Sequence, residues 1–369
     1  MPTRLTRLST ARLPRDLHPV AWWVWSLGLA ACASFTTNPW MLLLLIGVAC
    51  LTVAARRSEQ PWADAFRIYL WLGVMIVVVR VLFRVLLGGG DGGRVVLRLP
   101  VIPLPHWALG IRLLGDVTSQ SVLAGLYDGL RLAAVVICVG AGNALANPKR
   151  LLRSVPPALY EIGSALVVAI TVLPQLAESL RRVRLAQSLR GGEAGRVRGL
   201  RRLVVPVLED ALERSLALAA GMDTRGYGRS AGATPRERRT TGALMLAGLC
   251  AVCIGVYAAL DRTTPSWLGR PMVVLGVLLS FVAVRQAGRR VTRTRYRPAP
   301  WRWPETVVAG SGVLVGAAGW WMAGHQIAIA YPSLDVAPTV SLLALLVAAV
   351  GLGGALVAPH AAPGPGAAT

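Results

Sequence analysis

Apolar runs long enough to cross a lipid bilayer recur along the chain, separated by short polar or basic breaks. Residues 20–37 are apolar and stop at "TTNP", residues 39–55 stop at Arg56-Arg57, and residues 66–87 stop in "GGGDGG". A fourth run, 119–146, reaches "NPKR"; four more follow a long basic stretch, at 240–260, 271–287, 305–329 and 337–358. A bilayer needs about 20 apolar residues per helix, so the pattern predicts about eight transmembrane helices. Backbone polar groups in lipid must be satisfied within the element. The fold class is therefore all-α, a polytopic helical membrane protein. The break at 88–118 reads differently. In "RVVLRLPVIPLPHW", Val95, Val96, Leu97 and Leu99 suggest a short strand that Pro100, Pro103 and Pro105 end. A small external cap is expected there, with a hairpin as one form of it.

Between the fourth and fifth runs the pattern becomes amphipathic. Leu200, Leu203, Val204, Val207, Leu208, Ala211, Leu212, Ser215, Leu218, Ala219 and Met222 fall at helical intervals. Arg201, Arg202, Glu209, Asp210, Glu213 and Arg214 fill the other face, and Pro206 sits early enough to be tolerated with a bend. Upstream, Leu173, Leu176, Leu180, Val183 and Ala186 form a second stripe, with Glu178, Arg181, Arg182 and Arg184 off it. Two long amphipathic helices result, joined by "GGEAGRVRG".

Each helix ends on Arg-Gly: Arg190-Gly191 and Arg225-Gly226. A glycine takes the positive φ that closes a helix, and a cation suits the negative end of the helix dipole. Either end alone reads as an ordinary terminal charge. The pairing, and Tyr227 as an amphipathic ring at an exposed tip, point instead to a partner surface. A guanidinium there can fork onto a carboxylate or backbone carbonyls.

Charge then orients the spans. The net charge is +22, yet only 15% of residues are charged, against about 25% in soluble domains. Basic loops mark the cytoplasmic side. Arg4, Arg7, Arg12 and Arg15 precede the first run, Arg56-Arg57 follow the second, and Lys149, Arg150 and Arg153 follow the fourth. Fourteen arginines lie in 181–239, and "RQAGRRVTRTRYR" follows the sixth run, whereas the long 88–118 break holds three. Both termini are thus expected in the cytoplasm. "LYEIGSALVVAITVLP" is apolar enough to cross, but crossing would put the arginines of 181–202 outside. The 155–173 stretch is therefore expected to be a dipping or bundle-packed helix that returns to the cytoplasm. Leu29-Ala30-Ala31-Cys32 has the look of a lipoprotein cleavage box; a retained first helix fits the charge pattern better. The resulting division is 1–146 (N-terminal membrane bundle), 147–239 (cytoplasmic helix region), 240–358 (C-terminal spans) and 359–369 (disordered tail).

Candidate chemistry is sparse. Because the arginines cluster between apolar runs, lipid headgroups or an acidic partner explain them better than nucleic acid, for which no motif is present. The phosphate-binding loop of nucleotidases needs a lysine after glycine, and the only lysine is Lys149. Glu209-Asp210 is the only adjacent acidic pair, His18, His106, His325 and His360 are scattered, and Cys250 and Cys253 lack further ligands nearby. No catalytic, cofactor or metal site is expected. A self-contained permease would bury charges within its spans; Arg80 and Arg84 are the notable ones, and they read as snorkelling.

Three segments carry a resemblance. "LERSLALAAGMDTRGYGR" and "RRVRLAQSLRGG" resemble the two signatures of the transmembrane T component of energy-coupling factor (ECF) transporters, the cobalt-transport Q-type permease family. "LHPVAWWVWSLGLAACASFTTNPWMLLLL" resembles that family's opening His-Pro and Asn-Pro segments. In the first signature Leu189 stands where alanine is common. The resemblance implies a non-enzymatic coupling subunit with two long cytoplasmic coupling helices. Its partners would be two ABC-type ATPase subunits and a small membrane S component that binds a vitamin or metal ion. It further implies that Arg190 with Gly191, and Arg225 with Met222, Gly226 and Tyr227, contact the ATPases.

Overall fold

The computed structural model describes residues 15–57, 65–86, 94–98, 100, 115–154, 160–189, 196–226, 234–261, 264–288 and 301–359. Helices dominate. They are α1 (Pro19–Ser34), α2 (Pro39–Arg56), α3 (Phe66–Leu86), α4 (Ser119–Leu145), α5 (Pro148–Arg153), α6 (Tyr160–Leu189), α7 (Arg196–Thr224), α8 (Pro235–Leu260), α9 (Ser266–Gly288), α10 (Trp303–His325), α11 (Ile327–Ala330), α12 (Leu342–Gly351) and α13 (Gly353–Val357). Among the described residues, seven helices are long and apolar enough to cross a membrane: α2, α3, α4, α6, α8, α9 and α10. The first and last predicted runs are shorter apolar helices, α1 and the interrupted pair α12–α13. The protein is a polytopic, all-α membrane protein. The expected strand is present as β1 (Val95–Arg98), antiparallel to β2 (Asp116–Thr118), with Leu97 opposite Val117.

One element differs from expectation. Residues 160–173 and the first amphipathic helix are not separate pieces; α6 runs unbroken through Pro174 for 30 residues. A proline removes one backbone hydrogen bond. Its neighbours Leu173 and Leu176 are apolar and exposed, and ending the helix there would leave several more backbone groups unpaired than the one bond the proline removes.

The chain divides into two compact units, residues 1–151 with 298–369, and residues 152–297. In the first unit α1 sits against α2, α4 and α10, α3 packs on α4, and α12 and α13 lie on α2 and α10. Its core includes the fully buried Trp25, Leu29, Leu42, Leu45, Val308 and Val315. Small residues let the first helix approach α10: a Cβ on Gly28 would lie 2.0 Å from the Gly312 carbonyl oxygen, and one on Gly312 would lie 2.3 Å from Trp25 Cα. Close backbone approach of this kind replaces the hydrophobic drive that lipid removes.

Prolines and polar caps set the helix starts. His18 Nδ1 accepts from the Val20 amide at 3.3 Å, with Pro19 opening α1. Asn38 Oδ1 accepts from the Trp40 amide at 3.1 Å, with Pro39 opening α2. Both follow the preference for a side-chain cap before an N-terminal proline. Asn38 also donates through Nδ2 to the carbonyls of Ile329 and Thr339, each at 2.9 Å. The break between α12 and α13 frees the Gly351 carbonyl, which accepts from Trp25 Nε1 at 2.9 Å, and the C-terminal end of α13 leaves the Ala355 carbonyl, which accepts from Arg56 Nε at 2.8 Å.

At the base of α10, Arg15 grips Glu305 through two parallel bonds, Nη1 to Oε1 at 2.7 Å and Nη2 to Oε2 at 3.0 Å. Glu305 Oε2 also accepts the Arg302 amide at 3.1 Å, so one carboxylate caps α10 and anchors the N-terminal segment. Arg84, expected to snorkel, lies 3.8 Å from Asp128 on α4.

In the second unit α8 and α9 form an antiparallel hairpin whose glycines meet the opposite helix: Gly248 against Ser280, Gly255 against Val273, Gly276 against Val252. Their outward faces, including Leu246, Tyr257, Val274 and Phe281, are exposed. Helices α6 and α7 pack on one another.

Candidate functional site: the α6–α7 pair and its arginine tip

The amphipathic pattern of 200–222 folds as one helix because its residues are mostly good helix formers and Pro206 costs it a single amide bond. That cost has a visible consequence. In an intact helix the Arg202 carbonyl would accept from residue 206, which here has no N–H. Gln187 Nε2, on α6, donates to this carbonyl instead, at 2.7 Å.

A second tie lies eight residues further along each helix. Asp210 accepts from the hydroxyl of Ser179, a residue of α6 that is only 3% exposed. It also accepts from Arg214 Nε at 3.0 Å, one turn on, and lies 3.5 Å from Arg182 Nη2 of α6. These donors, the Ser179 hydroxyl foremost, hold its carboxyl below the usual aspartate range. Eight residues correspond to about 12 Å of helix, so α6 and α7 run antiparallel between the two ties. Val207 is buried beside the crossing, whereas Leu208, Leu212 and Leu216 are each more than 60% exposed.

Beyond Asp210, helix α7 continues to its tip at Arg225, roughly 22 Å further by helical rise. The tip closes by tightening: the Arg225 amide bonds to the Met222 carbonyl at 3.2 Å, and the Gly226 amide to the Asp223 carbonyl at 2.9 Å. Gly226 has φ +73°, and a Cβ there would meet nothing within 4 Å. Glycine is therefore required by backbone conformation, not by crowding. Arg225 is exposed and Met222 half-buried. Arg190, Gly191 and Tyr227 lie outside the described residues. No group of three or more metal-ligating side chains occurs among the described residues.

The sequence pattern located the tip but missed both ties. Asp210 read as part of a solvated face, because intrahelical periodicity does not reveal which polar residue meets a neighbour. Gln187 carried one usable signal, the proline that frees a carbonyl four residues before it.

Comparison with known proteins covers this region together with most of the chain before it. The model of the family described as CbiQ, cobalt transport protein, matches residues 10–235. The chain is similar to three proteins named energy-coupling factor transporter transmembrane protein EcfT. That of Staphylococcus aureus is 28% identical over 127 residues, covering 30% of this chain and 47% of the relative. That of Leuconostoc gelidum is 22% identical over 232 residues, covering 58% and 78%. That of Limosilactobacillus fermentum is 22% identical over 262 residues, covering 68% and 85%. The match thus spans about half the length of the Staphylococcus relative.

Proposed function

The chain belongs to the CbiQ cobalt transport protein family, and on that premise we propose that it is the transmembrane coupling subunit of an energy-coupling factor importer. In this reading two cytoplasmic ABC-type ATPases change their separation on binding and hydrolysing ATP. The α6–α7 pair carries that displacement to a small membrane S component, which brings in a vitamin or metal ion. The subunit catalyses nothing itself. Its N- and C-termini and the 181–239 stretch are cytoplasmic, with the apolar first half of α6 entering the lipid from that side.

The observation that carries the reading is the form of α7. A long helix braced near its start by α6 projects an exposed arginine, closed by a glycine at φ +73°. A braced rod with a charged tip suits force transmission better than binding of a small solute. Arg225 would enter an ATPase groove, with Met222, Gly226 and Tyr227 beside it, and Arg190-Gly191 would do the same at the second ATPase.

The test is co-purification of ATPases with tagged chain, together with uptake of whichever solute the co-purifying S component binds. Losing a buried, charge-assisted contact costs about 2–5 kcal/mol. Arg225→Ala should therefore lose ATPase capture or uncouple hydrolysis from uptake, and Arg225→Lys should fail in part because a point charge lacks the planar fork. Arg190→Ala should act likewise, and the double change should abolish uptake. Arg202→Ala, on an exposed face, should cost little. Parental uptake by both tip variants would overturn the assignment.

A further inference from the structure

We propose that Asp210 is the pin of the α6–α7 pair, a positioning residue whose carboxylate fixes where the two helices cross. The role follows from how little else holds that crossing. Ser179 and Val207 are buried in the pair and Leu180, Val183, Leu203 and Ala211 half-buried, a narrow seam flanked by the exposed Leu176, Leu185, Val204, Leu208 and Leu212. A seam that narrow does not by itself fix the angle of the pair.

The two polar ties do so together. The Gln187 bond ends on a backbone carbonyl, Arg202 O, and a single tie leaves α7 free to swivel about it. Asp210, about 12 Å away along both helices, supplies the second fixed point through Ser179 and Arg182 of α6 and Arg214 of its own helix. The sign of the surroundings makes the carboxylate specific. Arg182 and Arg214 converge on it from the two helices; without a negative charge between them they repel, and the crossing opens. For the proposed function, on which this consequence rests, a pinned crossing means that displacement at the Arg225 tip rotates the pair as one lever.

The experiment reads the crossing on the full chain in lipid nanodiscs. Nitroxides are placed at Leu173 and Leu216, both exposed and on the same side of the crossing, through a ketone-bearing amino acid that spares the native cysteines. Electron–electron distance measurement should give one narrow peak for the parent. Asp210→Ala should lose that peak to a broad distribution, with helix content by circular dichroism unchanged. Asp210→Asn, which keeps the hydrogen bond to Ser179 but not the charge, should fall between. Exchange of the pair, Ser179→Asp with Asp210→Ser, puts the carboxylate back between the two arginines from the other helix and should restore the narrow peak. A mere helix-stabilising role predicts no such rescue.

A parental peak in Asp210→Ala, or an exchange variant as broad as Asp210→Ala, would overturn the pin. Because the sample is this chain alone, the result is separate from ATPase capture by Arg225. Loss of capture on Arg225→Ala with an unchanged crossing in Asp210→Ala would sink the pin and keep the function; the reverse pattern would sink the function and keep the pin.

Discussion

Removing Arg15 tests how the N-terminal segment is held to a helix that begins 288 residues later. The Arg15–Glu305 pair is bidentate at 2.7 and 3.0 Å. The carboxylate side chain is 0% exposed and the guanidinium side chain 20%. Truncating one partner of a buried pair leaves an uncompensated charge and costs about 3–5 kcal/mol. Arg15 keeps some water, so Arg15→Ala belongs at the lower end, about 3 kcal/mol. Glu305→Gln keeps an oxygen to cap the Arg302 amide and leaves a cation that water can partly reach. It should cost less, about 1–3 kcal/mol. The double variant should be scarcely worse than Glu305→Gln alone, giving a coupling energy of about 3 kcal/mol in the cycle, the cost of Arg15→Ala itself. Reversible dodecyl sulfate titration in mixed micelles, followed by tryptophan fluorescence, measures all four proteins. The exposed Arg84–Asp128 pair at 3.8 Å is the control, with an expected coupling of about 0–1 kcal/mol. A coupling at Arg15–Glu305 no larger than the control's would refute the reasoning, since it would mean that water reaches the carboxylate in the folded protein.

Gly226→Ala should cost about 1–2 kcal/mol locally, because an L-residue at φ +73° is strained; faster amide exchange at 222–226 without a change in global unfolding is the expected signature, and Gly226→Asn should be milder. Gly312→Ala forces a Cβ to within 2.3 Å of Trp25 Cα and should destabilise by about 1–3 kcal/mol, whereas Gly47→Ala, with nothing within 4 Å, should be neutral or gain up to about 1 kcal/mol; equal melting temperatures in detergent would contradict the close α1–α10 packing. Burial pushes the His18 imidazole below its ordinary value of 6.5, so its contribution to stability is complete above that value and falls as pH drops from 6.5 through the lowered one. His18→Asn, which keeps a neutral cap, should flatten the slope between pH 7 and 5, and a parental slope in that variant would place the titration elsewhere.

Most of the fold was legible because lipid leaves few options. An apolar run of about 20 residues has to be a helix, and each of the eight predicted runs is helical over most of its length, the last in two pieces broken at Leu352. The unbroken path of α6 was not legible, since a proline within a helical pattern allows either an end or a bend, and the stripe that starts at Leu173 does not choose between them. The cap roles of His18 and Asn38 follow from His-Pro and Asn-Pro; the reach of Asn38 to Ile329 and Thr339 does not, because the partners are carbonyls and carry no sequence signal. The same holds at the candidate site. Gly226 announced its positive φ, as any helix-ending glycine does. The tie at Asp210 depends on the rotation of one amphipathic helix against another, a quantity that the periodicity of either helix leaves open.

The bond from Trp25 to the Gly351 carbonyl spans 326 residues, and this has a bearing on biosynthesis. A ribosome adding roughly 5–20 residues per second needs about 16–65 seconds to make that stretch. For most of that interval α1 is already synthesised while the glycine face of α10 does not yet exist, and the carbonyl that takes its indole comes only at the end. The 152–297 unit is made entirely within the gap. The newborn first helix therefore has to be sheltered, by insertion machinery or by neighbouring lipid, until the last apolar segment arrives to close the bundle around it.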